Sequence, residues 1–322
     1  MLSRIYVFLL LLLALPHAHA VDLPGIPEFI DEMVAKHKFR RNELVNVFQH
    51  AELQQAVIDA INSPATAKPW IDYRAIFVND NNIREGLEFW RKHGRTLHRA
   101  ERKYGVPSSI IVALLGVETH FGQRTGKFRT LDALTTLAFD YPRRADFFRG
   151  ELEQYLLLSR DQDLDLMEVY GSYAGALGIP QFMPSSYLKY AVDFDHDGKL
   201  DLLRDPIDAI GSVANYFRQY GWARGKPVTA RVTVSEDECL GSLQEPRTVG
   251  AWKSAGVKPE KKIAGADSAR LMDFTVREGK DFWLAFNNFD VITRYNNSDF
   301  YAMSVYQLSE ALLDARKNRK MK

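Results

Sequence analysis

The sequence predicts a mainly α-helical chain with a small β-containing insert, an α+β protein in which helices dominate. Three observations predict it. Apolar residues recur at a 3.6-residue period through most of the chain. From Val228 to about Phe282 that period gives way to alternation, as in Thr229-Ala-Arg-Val-Thr-Val234, joined by Gly/Pro/Lys-rich connections. From 283 to about 315 the helical pattern returns. The expected division is a leader at 1–20, a helical N-terminal region at 21–105, a central core at 106–227, the insert at 228–282, and a helical segment at 283–322 that completes the core.

The leader carries Arg4, an apolar run from Ile5 to Leu15, Pro16, and Ala18-His19-Ala20, a small-x-small cleavage pattern. It reads as a secretory signal peptide cleaved after Ala20, with an uncleaved anchor as the alternative. The run is shorter than the roughly 20 apolar residues a spanning helix needs. The single cysteine, Cys239, is far from the cleavage site, so neither a lipid anchor there nor an internal disulfide is expected. No other segment is long and apolar enough to be transmembrane, and about 300 residues suffice for one large or two modest cores. Lys+Arg number 42 against 41 Asp+Glu, a formal net charge of +1. That balance argues against nucleic acid as the main partner, which calls for a basic excess or patch. The basic tail from Lys317 to Lys322 reads as solvated.

Residues 22–60 read as helical, with Phe29, Ile30, Met33 and Val34 on one stripe and Leu44, Val45, Val47 and Phe48 opening a second. Pro24 and Pro27 hold the entry extended. Asn62-Ser63-Pro64 to Lys68-Pro69 is a loop. Trp70 and Tyr73 after it are either rim packing or flat faces for a ligand. Residues 82–104 form one long amphipathic helix with Ile83, Leu87, Trp90, Leu97 and Ala100 inward. Tyr104-Gly105 ends it, and Pro107 opens the next helix.

That next segment, Ile110 to Gly126, is the most apolar helical stretch after the leader and contains Glu118. At helical spacing, Leu114, Leu115, Phe121 and Gly122 share the face of Glu118. A carboxylate on an apolar face is costly to ionise and tends to keep its proton. A carboxylic acid still neutral near pH 7 suits general acid catalysis. The alternative is a Glu paired with an Arg across a helix contact. His120, two residues on, points to another face, which weighs against a shared metal site.

Residues 128–160 continue as helix, interrupted at Asp140-Tyr141-Pro142-Arg143-Arg144. Arg143 and Arg144 are either surface charge or a pair that binds carboxylates and stacks on rings. The stretch 171–187, GSYAGALGIPQFMPSSY, is rich in small residues. It is either a tightly packed helix start or a cleft wall where Ser172 and Gln181 donate hydrogen bonds to an extended ligand. Asp193, Asp195, Asp197, Gly198, Lys199 and Asp201 match the first nine positions of a calcium loop, Lys199 offering its backbone carbonyl. The match breaks at Arg204, where a bidentate Glu is expected; Asp205 closes the loop if it is one residue longer. A structural calcium ion is expected there, with a solvated acidic turn as the alternative, and no organic cofactor. Residues 206–221 are helical again. Tyr295, Asn296 and Tyr301 combine flat faces with polar tips, which suits sugar rings and acetamides.

Together these stretches resemble the membrane-bound lytic transglycosylase B family of bacterial cell-wall enzymes, including its soluble members. The resemblance is carried by GVETHFG around Glu118, DYPRR at 140–144, YAGALGIPQFMPSSY at 173–187, the aspartate loop at 193–205, DAIGSVANYF at 208–217 and TRYNNSDFYA at 293–302. It implies a lysozyme-like helical catalytic core, an α-helical domain and a small β-domain. It also implies cleavage of the β-1,4 bond between N-acetylmuramic acid and N-acetylglucosamine in peptidoglycan. Carried over by position, Glu118 looks like the single catalytic acid and base. Tyr73, Arg143, Arg144, Ser172, Gln181, Tyr216, Tyr295, Asn296 and Tyr301 fall on the glycan groove. Asp193, Asp195, Asp197, Lys199 and Asp205 fall on the calcium loop, with Arg204 an extra residue relative to the family's soluble representative. Without a cysteine at the cleavage site, the chain resembles a soluble periplasmic member, whose partners are glycan strands and other cell-wall enzymes.

Most glycosidases pair two carboxylates, and the matched cleft motifs offer no partner for Glu118. A lone carboxyl suits an intramolecular reaction. It protonates the glycosidic oxygen, the sugar's acetamide stabilises the cation, and the ionised Glu118 then activates that sugar's C6 hydroxyl. The product is a 1,6-anhydromuramic end. A hydrolytic muramidase and a non-catalytic peptidoglycan-binding scaffold are the competing readings.

Overall fold

The computed structural model describes residues 23–63, 68–234 and 245–320. The expected leader, Cys239 and the middle of the 62–69 loop lie outside the described residues. Three short helices come first: α1 (Ile26–His37), α2 (Arg41–Gln49) and α3 (Gln55–Ile61). Their apolar stripes are buried together, Phe29 meeting Phe48 edge-on at 6.0 Å. Next are α4 (Trp70–Phe77), α5 (Asp80–Lys92) and α6 (Gly94–Tyr104). The single helix expected over 82–104 is therefore two. His93 leaves helical geometry at φ −106°, ψ 20°, and Gly94 behind it is a poor helix former. The inward residues Leu87, Trp90, Leu97 and Ala100 are buried across the break.

The centre of the core is α7 (Ser108–Thr119), apolar on nearly every side and buried along most of its length. It ends at Thr119, just ahead of Gly122 and Gly126, the glycines at which the sequence breaks the segment into a turn. His120, Phe121 and Gly122 take φ values of 53°, 60° and 89°, which turn the chain back on itself. Phe121 and Gly122 thus leave the helix and do not extend the Glu118 face. The Phe121 ring folds over Gly116, where a Cβ would lie 2.7 Å from it.

A two-stranded ribbon, β1 (Phe128–Arg129) with β2 (Tyr170–Gly171), brackets α8 (Thr130–Phe139), a 3-10 turn at Pro142–Arg144 and α9 (Ala145–Gln162). α10 (Pro184–Tyr190) and α11 (Pro206–Gln219) follow, each opening on proline, whose missing N–H costs nothing in a first turn.

The alternating segment forms a five-stranded antiparallel sheet. Its strands are β3 (Thr229–Val234), β4 (Arg247–Thr248), β5 (Val257–Pro259), β6 (Ser268–Val276) and β7 (Gly279–Ala285), ordered β4-β6-β7-β3-β5. β7 continues past residue 282, the expected end of the insert. Successive side chains face opposite sides of the sheet. Leu271 joins a small core with Trp252 of α12 (Val249–Ser254). Phe274 faces the main core and meets Trp70 of α4 at 4.7 Å. The chain closes with α13 (Asn287–Thr293) and α14 (Asp299–Lys320), the latter packed on α4, α5 and α7. Among the described residues no helix is long and apolar enough to cross a membrane.

Candidate active site

Glu118 sits in the last turn of α7, one turn beyond the fully buried Leu114 and Leu115. Its partner is the Tyr301 hydroxyl, which donates to Oε1, and not the arginine of the alternative reading. Burial pushes the carboxyl up to about 7, against the opposing pull of the Tyr301 hydrogen bond. Tyr73 on α4, Tyr295 after α13 and Tyr301 on α14 gather around it. Burial and then the charge of Glu118 push all three phenols up, Tyr73 to about 12. They are neutral hydroxyl donors at neutral pH.

Short backbone contacts fix this end of α7. Thr119 Oγ1 donates to Ile179 O at 2.7 Å and accepts from Gly122 N at 3.0 Å. Tyr295 donates to Pro180 O at 2.5 Å. Tyr216 of α11 lies behind it, its ring 4.8 Å from that of Tyr295 and its hydroxyl donating to Arg294 O at 2.7 Å. The Ile179 N–H in turn donates to Leu202 O at 2.8 Å. Only glycine fits at 178, where φ is 68° and a Cβ would lie 2.2 Å from Leu202 O. The acidic loop is thereby tied to the residue after Glu118 through two hydrogen bonds.

A groove of about 390 Å³ opens on Glu118, walled by Phe77, Asn79, Asn82, His120 and Arg124 among others. Among its described lining residues, Glu118 is the only carboxylate. His120 Nε2 lies 2.5 Å from a carboxylate oxygen of Glu85. The sequence reading missed Asn79, Asn82 and Arg124. Asn79 caps α5 by accepting from Asn82 N at 3.0 Å, and the Asn82 amide donates to Phe77 O at 2.8 Å. The polar run from Asn79 to Asn82 after an aromatic helix is a helix-start signal that locates this wall.

Other expected groove residues have different surroundings. Ser172 Oγ accepts from Ala174 N and Ala176 N at 3.2 and 3.0 Å. The Gln181 amide donates to Thr125 O and Gly178 O, both at 2.9 Å. The 171–187 stretch is thus held by its own backbone, and α10 begins only at Pro184. Arg143, Arg144 and Asn296 are exposed, Arg144 lying over the Phe147 ring at 4.3 Å. Among the described residues no contact links these three to Glu118.

In the acidic loop, carboxylate oxygens of Asp193, Asp195 and Asp197 lie within 4.8 Å of one another, as do those of Asp195, Asp205 and Asp208. Arg204 does not keep Asp205 away. Asp201 Oδ1 accepts from Leu203 N and Arg204 N, which turns the chain so that Asp205 arrives beside Asp195. Lys199 N donates to Asp197 at 2.8 Å. Asp208, absent from the expected ligand set, is buried and accepts from Phe194 N at 2.7 Å and Asp201 N at 2.9 Å. Burial pushes its carboxyl up. The donor set is all oxygen, as a hard cation such as calcium requires.

The chain is similar in sequence and in fold to known proteins. Residues 23–310 match the family profile described as Transglycosylase SLT domain. The chain is 42% identical over 303 residues to membrane-bound lytic murein transglycosylase B of Escherichia coli (strain K12), covering 91% of this chain and 84% of that protein. The crystal structure of soluble lytic transglycosylase SltB1 from Pseudomonas aeruginosa superposes with a TM-score of 0.85 at 45% identity, over 91% of this chain and 100% of that one. The Escherichia coli lytic transglycosylase Slt35 in complex with calcium superposes with a TM-score of 0.86 at 40% identity, over 94% and 99%. With nearly all of its length matched in sequence and in fold, the chain belongs to the family of lytic murein transglycosylases.

Proposed function

We propose that this chain cleaves the β-1,4 bond between N-acetylmuramic acid and N-acetylglucosamine in peptidoglycan, with Glu118 as acid and then base, leaving 1,6-anhydromuramic ends. The observation that carries this is a carboxyl held near pKa 7 in a groove whose described lining residues include no second carboxylate. With Tyr301 on Oε1, Oε2 is left to hold the proton. Glu118 gives that proton to the glycosidic oxygen as the C1–O bond breaks. The muramic acetamide stabilises the cation at C1. Glu118, now ionised and still bonded by Tyr301, takes the proton of the C6 hydroxyl as O6 bonds to C1. No water is consumed. Neutral Tyr73 and Tyr295 offer donors to sugar oxygens. Tyr216, Ser172 and Gln181 shape the wall through backbone contacts, and the exposed Arg143, Arg144 and Asn296 meet longer glycans.

Calcium is assigned to Asp193, Asp195, Asp197, Asp205 and the Lys199 carbonyl. The all-oxygen clusters and the calcium-bound relative support it. Its part is structural: it neutralises crowded carboxylates in the loop that buttresses Ile179. Residues 1–20 are proposed to export the chain to the periplasm, where its substrate lies and where other cell-wall enzymes are the expected partners.

The test is mass spectrometry of a digest of purified peptidoglycan. Fragments one water lighter than hydrolysis products, ending in anhydromuramic acid, are expected. Reducing ends would replace this reading with a muramidase. Binding without fragments would replace it with a scaffold.

A further inference from the structure

A cavity of about 840 Å³, more than twice the groove at Glu118, lies between β3, β7, α4 and α14. The two share no lining residue. Tyr73 of α4 and Tyr301 of α14 lie around Glu118, whereas Arg74, Tyr306 and Glu310 of the same helices line this cavity. The two helices therefore form a wall common to both spaces. The volume lies within the range of about 300–1,000 Å³ typical of ligand clefts.

Its lining combines an apolar floor with two charged edges. Trp283 and Tyr306 meet edge-to-face at 6.3 Å, with Ile263 and Val276 beside them. Arg231 is already matched, by Asp281 at 2.6 Å, and Arg74 donates to Gln307. Among the described residues, Lys261 and Lys262 on the loop after β5 have no ion-pair partner, nor has Glu310 on α14. Unmatched positive and negative charge on one apolar cleft suits a dipolar ligand. A neutral sugar would leave these charges unanswered, and a polyanion would meet Glu310.

We propose that this cavity is a second binding site that takes a short zwitterionic peptide of the kind carried as stems on peptidoglycan strands. A stem carboxylate faces Lys261 and Lys262, an ammonium faces Glu310, and the intervening side chains cover Trp283. The proposal rests on peptidoglycan being the substrate.

Calorimetric titration of the Glu118→Gln protein with a free stem peptide tests it, beside the same peptide acetylated at its amines and amidated at its carboxylates. The unmodified peptide is expected to saturate one site and the blocked one to bind at least about ten-fold more weakly. Glu310→Gln and the double change Lys261→Ala, Lys262→Ala are each expected to weaken binding about five-fold. All are exposed or half-buried changes, and unaltered melting curves confirm their folding. Equal binding of both peptides, unchanged affinity in the variants, or no heat at millimolar peptide overturns the proposal. Release of anhydromuramic ends by wild-type protein from peptide-free glycan strands reports separately on the activity. Its loss with peptide binding intact sinks only the activity reading.

Discussion

Glu118 stands alone at the end of an apolar helix, whereas Asp193, Asp195, Asp197 and Asp205 of one loop crowd together with Asp208 of the first turn of α11. Both regions hold acidic groups near the core, and they answer the charge differently. Glu118 accepts a hydrogen bond from one phenol, Tyr301, and burial outweighs that bond, so the carboxyl is pushed toward its protonated form. In the loop, backbone N–H groups converge on the carboxylates: His196 N and Gly198 N on Asp193, Leu203 N and Arg204 N on Asp201. At Asp193 these donors outweigh burial and hold the carboxyl below its usual range; the clustered charge is what the proposed cation would neutralise.

The sharpest break of that contrast is at Glu118 itself. Glu118→Gln keeps the shape and removes the transferable proton. It is expected to lower kcat by about 10³-fold or more while retaining affinity for glycan strands, since the proposed mechanism routes both proton transfers through this group. Wild-type turnover in this variant would remove Glu118 from the mechanism.

The loop is expected to respond to metal removal instead. At a calcium concentration about 100 times its Kd, bound ion contributes about 2.7 kcal/mol, so EDTA should lower Tm by about 4 °C in a chain of this length. Asp195→Ala, at the residue shared by both clusters, should lower it similarly and abolish the response to EDTA. Glu118→Gln should leave that response intact. An EDTA-insensitive Tm would mean the aspartates are merely solvated.

How much of this was legible in the sequence differs between the two regions. The helical stripes and the alternation in 229–234 came through because both are local periodicities. Glu118 stood out because its neighbours in sequence are its neighbours in space. The end of α7 did not, since the left-handed turn at His120 and Phe121 is held by a ring seated on Gly116. Nor does spacing reveal the bond between Glu118 and Tyr301, 183 residues apart; only the family resemblance placed both in one groove. Asp208 was missed because it belongs to the first turn of α11, outside a twelve-residue loop pattern. Ser172 and Gln181 looked like ligand donors, but nearby backbone groups compete for the same atoms.

Stability against pH gives a smaller effect. Glu118 has its folded pKa raised from an ordinary 4.5 to about 7. Its protonated form is the one the fold favours, so this contribution is full below about pH 4.5 and is lost as pH rises through about 7. Glu118→Gln has no such loss. Relative to wild type it should gain about 1–3 kcal/mol between pH 4 and pH 8, read as a Tm difference that grows with pH. A difference independent of pH would place the carboxyl in contact with water.

The finest test concerns the Tyr301 hydroxyl. The upper limb of kcat/KM should fall near pH 7 in wild type, because the proposed mechanism needs the acid form of Glu118 to protonate the leaving oxygen. The Tyr301 bond favours the ionised carboxylate and so holds that limb down. Tyr301→Phe removes it and should move the limb upward by about one pH unit, the size of one hydrogen bond to a charged group. Tyr73→Phe removes a phenol that makes no such bond to the carboxyl, so the limb should stay near 7 even if KM rises. Equal shifts in both variants would assign the effect to general loss of polarity around Glu118. No shift in either would mean that the limb belongs to another group.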